Sequence, residues 1–356
     1  MPLKPAHVAT HDDVVRVAEL PSTTASTAGS PRIEEVARLA GVSPITVSRA
    51  LRQPDKLSAA TRLKVLEAVE RTGYESNPHA RALRSGRSTL VAAFVSNIMS
   101  QQFGLAVQGL ARELEPQGYE LMIGQTSYSY AKEIAMVRSL RSLRPAAVMF
   151  TGVIELEENR RALRELGIPV VETWAFPRDP IDMLVGFSNV DAGVMAARHL
   201  LGKSYRRLAF IGRSGGRGAL RLKGFRDEAA RLGTALTQVV TVPEVQSISD
   251  GRAALAKLFS VCDSVDAVFC ANDLLATGAV IEARSRGIAV PEQVAILGFG
   301  DNDTAGQISP GLTTITMDAF ELGRRAGQML KARLGGIEPT EPIQNVPLEL
   351  LIRSST

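Results

Sequence analysis

The spacing of apolar positions divides the chain into two regimes. The first holds three helical candidates. "IEEVARLA" (33–40) is followed by Gly41, which suits a helix end. Ser43 then suits an N-cap, and Pro44 suits the first helical position, where a missing N–H costs nothing. In the helix from 44 to 52, Val47, Ala50 and Leu51 stand at i, i+3 and i+4 and share an inward face. Ile45, Thr46, Ser48, Arg49 and Arg52 then point outward. A third helix takes Ser58 as N-cap, runs through "AATRLKVLEAVERT" and stops at Gly73. The pattern is a helix, a tight turn, a second helix, and a third that closes a small core.

From Leu90 the pattern changes to near-continuous apolar runs separated by helical stretches. The runs are "LVAAFV", "YELMIG", "AAVMFT", "IPVVET", "RRLAFIG", "DAVFCAND" and "VAILGFGD". Such alternation predicts parallel strands covered by helices on both faces. The units are too many for one small sheet, so two α/β lobes are expected, divided near residue 186, with the C-terminal tail crossing back to the first lobe. The expected organisation is a flexible leader (1–30, ending in "PSTTASTAGS"), an all-α head (31–76), a linking segment (77–88) and a core (89–356). Within the core, the first lobe is expected at about 89–186 and the second at about 187–312.

Composition narrows the function classes. No run approaches the ~18–20 apolar residues of a membrane helix, and the start lacks an apolar signal core, so a cytoplasmic protein without a membrane role is expected. Cys262 and Cys270 are too few for a disulfide framework and lack metal-ligand spacing. His7, His11, His79 and His199 form no catalytic constellation. "LAFIGRSGGRG" places glycines after a strand without meeting G-x-G-x-x-G. No enzyme activity, cofactor or metal is therefore expected. Charge is concentrated: residues 31–90 hold eleven Lys/Arg against six Asp/Glu, a net of +5, while the whole chain carries only +4. A polyanionic partner for that segment follows.

"VARLAGVSPITVSRAL", "GYESNP" and "ARALRSGRS", with "FCANDLLATGA", "ILGFGD" and "SPGLTTI" farther on, resemble the lactose/galactose-repressor family of transcription regulators. The likeness runs from about Ile33 to the end. "IPVVETW", "VGFSN" and the "FGD" stretch are most similar to its gluconate-utilisation branch. The resemblance implies an all-α helix-turn-helix DNA-binding head, a hinge helix and an α/β two-lobed core like that of periplasmic binding proteins. It implies that helix 44–52 lies in the major groove, with Pro44 and Ile45 at the base-selecting positions, Arg49 reaching a guanine, and Thr46 and Ser48 on phosphates. Segment 78–86, too short to hold a helix alone, matches the hinge that forms on DNA and pairs with a second copy. Leu83 there matches the minor-groove wedge, and Arg81, Arg84 and Arg87 can reach phosphates. A homodimer on a near-palindromic operator is implied, with a tetramer left open.

In the core, a ligand belongs beyond the carboxyl ends of the strands, between the lobes. Ser96, Thr151 and Trp174 match family positions lining that cleft. Arg221 matches the arginine that holds ligand oxygens, and Asn272 another polar contact. Glu172 lies two residues from Trp174 and shares its side of an extended strand. The family's frequent ligand-binding aspartate is replaced by Gly300, with Asp301 one residue later. Asp273 is expected to cap the helix that follows. Arg221 suits a carboxylate, while Ser96, Asn272 and Asp301 suit hydroxyls, so a sugar acid such as gluconate is the expected effector. It is expected to shift the lobes and release the operator. The alternative is a periplasmic-type solute-binding protein, which has no use for residues 31–88.

Overall fold

A computed structural model describes residues 31–52, 54–74, 88–127, 129–176, 178–262 and 264–356. The leader and the hinge stretch with Leu83, Arg81, Arg84 and Arg87 lie outside the described residues. The chain forms two compact units, divided after residue 77.

Among the described residues, the first unit holds three α-helices, α1 (Ile33–Ala40), α2 (Pro44–Arg52) and α3 (Ala59–Thr72). Val36, Ala37, Val47, Ala50, Val65 and Ala68 make its small buried core. Gly41 ends α1 in the left-handed region, at φ 67°, where a side chain is costly, and its N–H and that of Val42 close back onto the last turn. Ser43 Oγ accepts from the Thr46 N–H at 3.2 Å, which starts α2. Ser58 does the same for α3 through the Thr61 N–H. Leu51 corrects the expected inward face: it is 36% exposed, because Val47 and Ala50 already fill the contact with α1 and α3.

The second unit is built on two six-stranded sheets. The first runs in the order β2 (Glu120–Gln125), β1 (Leu90–Val95), β3 (Ala147–Phe150), β4 (Val170–Thr173), β5 (Met183–Gly186) and β11 (Ile343–Asn345), all parallel. The second runs β7 (Gln238–Thr241), β6 (Leu208–Gly212), β8 (Ala267–Cys270), β9 (Ala295–Phe299), β10 (Thr313–Thr316) and β12 (Glu349–Leu351). Only the last pair, β10 with β12, is antiparallel. The second lobe therefore extends past residue 312, because β10 joins its sheet and the chain returns to it as β12 after laying β11 on the first.

Among the described residues, the helices of this unit are α4 (Gln101–Leu114), α5 (Tyr130–Leu143), α6 (Glu157–Leu166), α7 (Asn189–Gly202), α8 (Gly216–Arg231), α9 (Ile248–Val261), α10 (Asp273–Ser285) and α11 (Ala319–Leu334). α11 follows the second sheet yet packs on α4 of the first lobe, where Gly323 lies against the Ala106 carbonyl. One buried apolar cluster runs from Val91 and Phe103 through Phe187 to Phe210, Phe225 and Phe269, so both lobes share a continuous core.

Candidate functional site

In the first unit, α2 turns one face outward. Val47 and Ala50 anchor it, and Pro44, Ile45 and Arg49 are exposed, Ile45 at 70%. Thr46 and Ser48 are half-buried at the edge of this face, and the Thr46 hydroxyl lies 2.9 Å from that of Ser43. An exposed isoleucine at a helix start offers an apolar contact of the kind a thymine methyl accepts. Arg49, one turn later, adds a cation and a planar set of donors.

In the second unit, a cavity of about 980 Å³ opens at the carboxyl ends of the strands. Ser96, Thr151 and Trp174 follow β1, β3 and β4 directly and line it. Ser96 and Thr151 are tied together: the Ser96 N–H donates to Thr151 Oγ1 at 2.8 Å, and Ser96 Oγ donates to the Thr151 carbonyl at 2.6 Å. Trp174 sits at φ 61°, unusual for a bulky residue, and packs edge-on against Phe103 with ring centroids 4.9 Å apart. Phe94, Phe150 and Phe176 add apolar wall, and Thr126, Ser129 and Ser188 add hydroxyls. A surface of this kind receives a small molecule that is apolar on one side and rich in oxygens on another.

Four residues expected in the lining are not part of it. Glu172 has no exposed surface: one carboxylate oxygen accepts from the Ile154 N–H at 2.8 Å and the other from the Ile181 N–H at 2.7 Å. Burial pushes its carboxyl up, against those two bonds and the pull of Arg160. It brackets the loops that form the wall. Arg221 donates from Nε to Asn189 at 3.0 Å and from Nη1 to the Ala271 carbonyl, with its guanidinium over the Phe299 ring. Asn189 in turn donates to the Trp174 carbonyl at 2.9 Å.

Asn272, not Asp273, is the N-cap of α10, accepting from the Leu275 N–H at 3.0 Å. Asp273 is the first helical residue and bonds Thr314 and the Asn302 N–H. Asp301, at φ 55°, accepts from Arg353 at 2.7 Å. Its loop also touches the first lobe, where Gln101 accepts from the Asp303 N–H at 2.7 Å.

The lining contains residues that pattern reading passed over: Arg178, Asn189, Asp191, Arg213, Arg217, Glu133 and Glu155. The signal for two of them lay in "RSGGRG". This is the turn from β6 into α8, at the same strand end as the expected cleft, with Arg213 and Arg217 flanking its glycines. Among the described residues, no group of three or more metal-ligating side chains gathers, and no helix is long and apolar enough to cross a membrane.

Residues 32–77 match the family described as bacterial regulatory proteins, lacI family, and residues 197–356 match a periplasmic binding protein-like domain. The chain is similar to the HTH-type transcriptional regulator GntR of Pseudomonas aeruginosa, 37% identical over 93% of this chain and 97% of that one. Among solved structures, a LacI-family transcriptional regulator from Silicibacter pomeroyi superposes with a TM-score of 0.84 at 28% identity, covering 91% of this chain and 99% of its own. The transcription regulator GntR from Chromobacterium violaceum gives a TM-score of 0.71 at 30% identity, over 75% of this chain and 98% of that one.

Proposed function

Because the chain belongs to the lacI family of bacterial regulatory proteins, and is a DNA-binding transcriptional regulator rather than an enzyme, we propose that it is a cytoplasmic, homodimeric repressor released from its operator by a sugar acid such as gluconate. The observation that carries the DNA side is the outward face of α2, with Ile45 exposed and Arg49 beside it on a helix whose other face is fixed by Val47 and Ala50. In this reading Pro44 and Ile45 meet base edges, Arg49 reads a guanine, and Thr46 and Ser48 hold phosphates. Leu83 wedges the minor groove at the dyad.

The cavity takes the effector. Ser96, Thr151 and Trp174 contact it directly, while Glu172 and Arg221 hold the walls. A ligand that touches both lobes favours one relative orientation of them, and the difference in its affinity for the two orientations is what moves the operator equilibrium, typically by ~1–3 kcal/mol. The sugar-acid assignment is supported by hydroxyl-bearing and arginine side chains in one cavity and by the branch resemblance.

Fluorescence anisotropy with duplex DNA from beside the protein's own gene tests the reading. Binding that weakens steeply with salt, and that gluconate reverses, is the expected result. A protein that stays monomeric and binds no such duplex overturns the DNA side. Binding that gluconate and related aldonates leave untouched overturns the effector.

A further inference from the structure

Arg217 crosses the cleft. It belongs to the first turn of α8 in the second lobe, yet it bonds residues of the first. Nη1 donates to the Thr151 carbonyl at 3.1 Å and Nη2 to Ser96 Oγ at 3.2 Å, and the guanidinium stands 5.2 Å from the centre of the Phe103 ring. We propose that Arg217 makes the cavity select an anionic, polyhydroxylated effector, its guanidinium passing from Thr151 and Ser96 to the effector's carboxylate or phosphate. The proposal rests on the reading of this cavity as the effector site.

Three observations support the exchange. The Thr151 carbonyl and Ser96 Oγ are neutral oxygens, and a charged acceptor makes a roughly twofold stronger bond to a guanidinium. Ser96 Oγ already donates to the Thr151 carbonyl at 2.6 Å, so these groups keep a partner when Arg217 leaves. The wall from 213 to 220 carries Arg213 and Arg217 and no carboxylate, and it includes the start of α8, whose dipole also favours an anion. The carboxylates of the lining, Glu133, Glu155 and Asp191, come from other elements, and Glu133 is held by Asn159 at 2.7 Å. Arg221, the arginine expected in this role, is committed to Asn189 and the Ala271 carbonyl behind the wall.

Trp174 is the single tryptophan of the chain and lines the cavity against Phe103, so its emission reports on this site alone. The full-length protein is titrated by calorimetry and by Trp174 fluorescence with gluconate, with the neutral polyol glucitol, and with glucitol 6-phosphate. Gluconate or the phosphate is expected to bind about tenfold or more tightly than glucitol and to shift the emission, with the better of the two identifying the anionic group. In Arg217→Met that preference is expected to collapse to about unity, and in Arg217→Lys to return in part.

A Met variant that keeps the wild-type preference overturns the proposal, while a retained Trp174 response leaves the cavity standing as the effector site. Wild-type protein that binds glucitol as tightly as the anions does the same. Calorimetric binding without any change in Trp174 emission overturns the cavity reading itself, and absence of binding by all three overturns both.

Discussion

Gly193 of α7 and Arg221 of α8 meet backbone to backbone: a Cβ on Gly193 would lie 2.1 Å from the Arg221 carbonyl oxygen. Gly224 repeats the contact one turn along, where a Cβ would lie 1.9 Å from the Val190 carbonyl. This close approach brings Asn189 within 3.0 Å of Arg221 and so fixes the chain of bonds that ends on Trp174. Helix contact and cavity wall are one structure.

Gly193→Ala is therefore expected to force α7 and α8 apart. Neither neighbour is a flexible side-chain tip, so the strain falls on backbone, and the cost expected for such overpacking is ~1–3 kcal/mol. Denaturant unfolding followed by Trp174 emission measures it, and effector affinity should fall with stability. Gly202→Ala is the control, since nothing lies within 4 Å of a Cβ there. Equal midpoints for Gly193→Ala and wild type would show that the helices do not need this contact.

The head was legible because its information is local. Gly41, Ser43, Ser58 and Gly73 act on their own turns, and each sits at the helix end expected of it. Strongly apolar strands such as "LVAAFV" and "VAILGFGD" were legible for the same reason. β5, β7, β11 and β12 were not: three or four residues long, they are strands because a neighbour offers a ladder, as β5 does for Ile343–Asn345. Around the cavity, Ser96, Thr151 and Trp174 follow strand ends directly, so the strand-end rule is enough to place them in its lining. Glu172 was expected on the side of Trp174, but Trp174 leaves the extended strand at φ 61° and joins the cluster of Val171 and Phe103, while Glu172 meets the Ile154 and Ile181 N–H groups, brought from other loops. Arg217 was hidden because the contacts that define it lie 66 and 121 residues away in the chain.

Arg49 is exposed on α2, so removing its side chain beyond Cβ leaves the head's core untouched. Arg49→Ala is expected to reduce discrimination at one operator base pair by ~1–3 kcal/mol, with weaker effects elsewhere. Anisotropy titrations on the operator and on versions swapped at each pair measure this. If wild type and variant discriminate equally at every pair, Arg49 reads no base.

Glu172→Gln tests the bracket behind the wall. A carboxamide nitrogen cannot accept, so either the Ile154 or the Ile181 N–H loses its partner in a buried place, and Arg160 loses a charge 3.7 Å away. The expected destabilisation is ~1–3 kcal/mol. Because Ile154 and Arg178 on these loops line the cavity, effector affinity should also fall, with operator affinity in the absence of effector much less changed. Loss of stability without loss of effector affinity would separate the bracket from the site.

Asp273 gives the core a dependence on pH. It is fully buried at the start of α10, where its carboxylate accepts from the Thr314 hydroxyl at 2.7 Å and the Asn302 N–H at 2.8 Å. Burial pushes its pKa up to about 6 from 3.8; the two hydrogen bonds and Arg353 oppose the shift, and Asp301 adds to it. Between those two values the folded chain holds a proton that the unfolded chain has released. This site's contribution to stability is therefore greatest below about 4, declines as pH rises to about 6, and is level above that. The slope within the window is at most ~1.4 kcal/mol per pH unit.

Asp273→Asn removes the titration while keeping an acceptor for Thr314. The unfolding free energy of wild type minus that of the variant should fall as pH rises through the window, because the other groups of the chain largely cancel. A difference that stays flat from pH 4 to 8 would mean that Asp273 carries its charge in the fold at no cost. The loop it holds through Asn302 is the one that meets Gln101 of the first lobe through Asp303. Effector affinity measured over the same range should therefore change with the charge on Asp273 in wild type and lose that component in the variant.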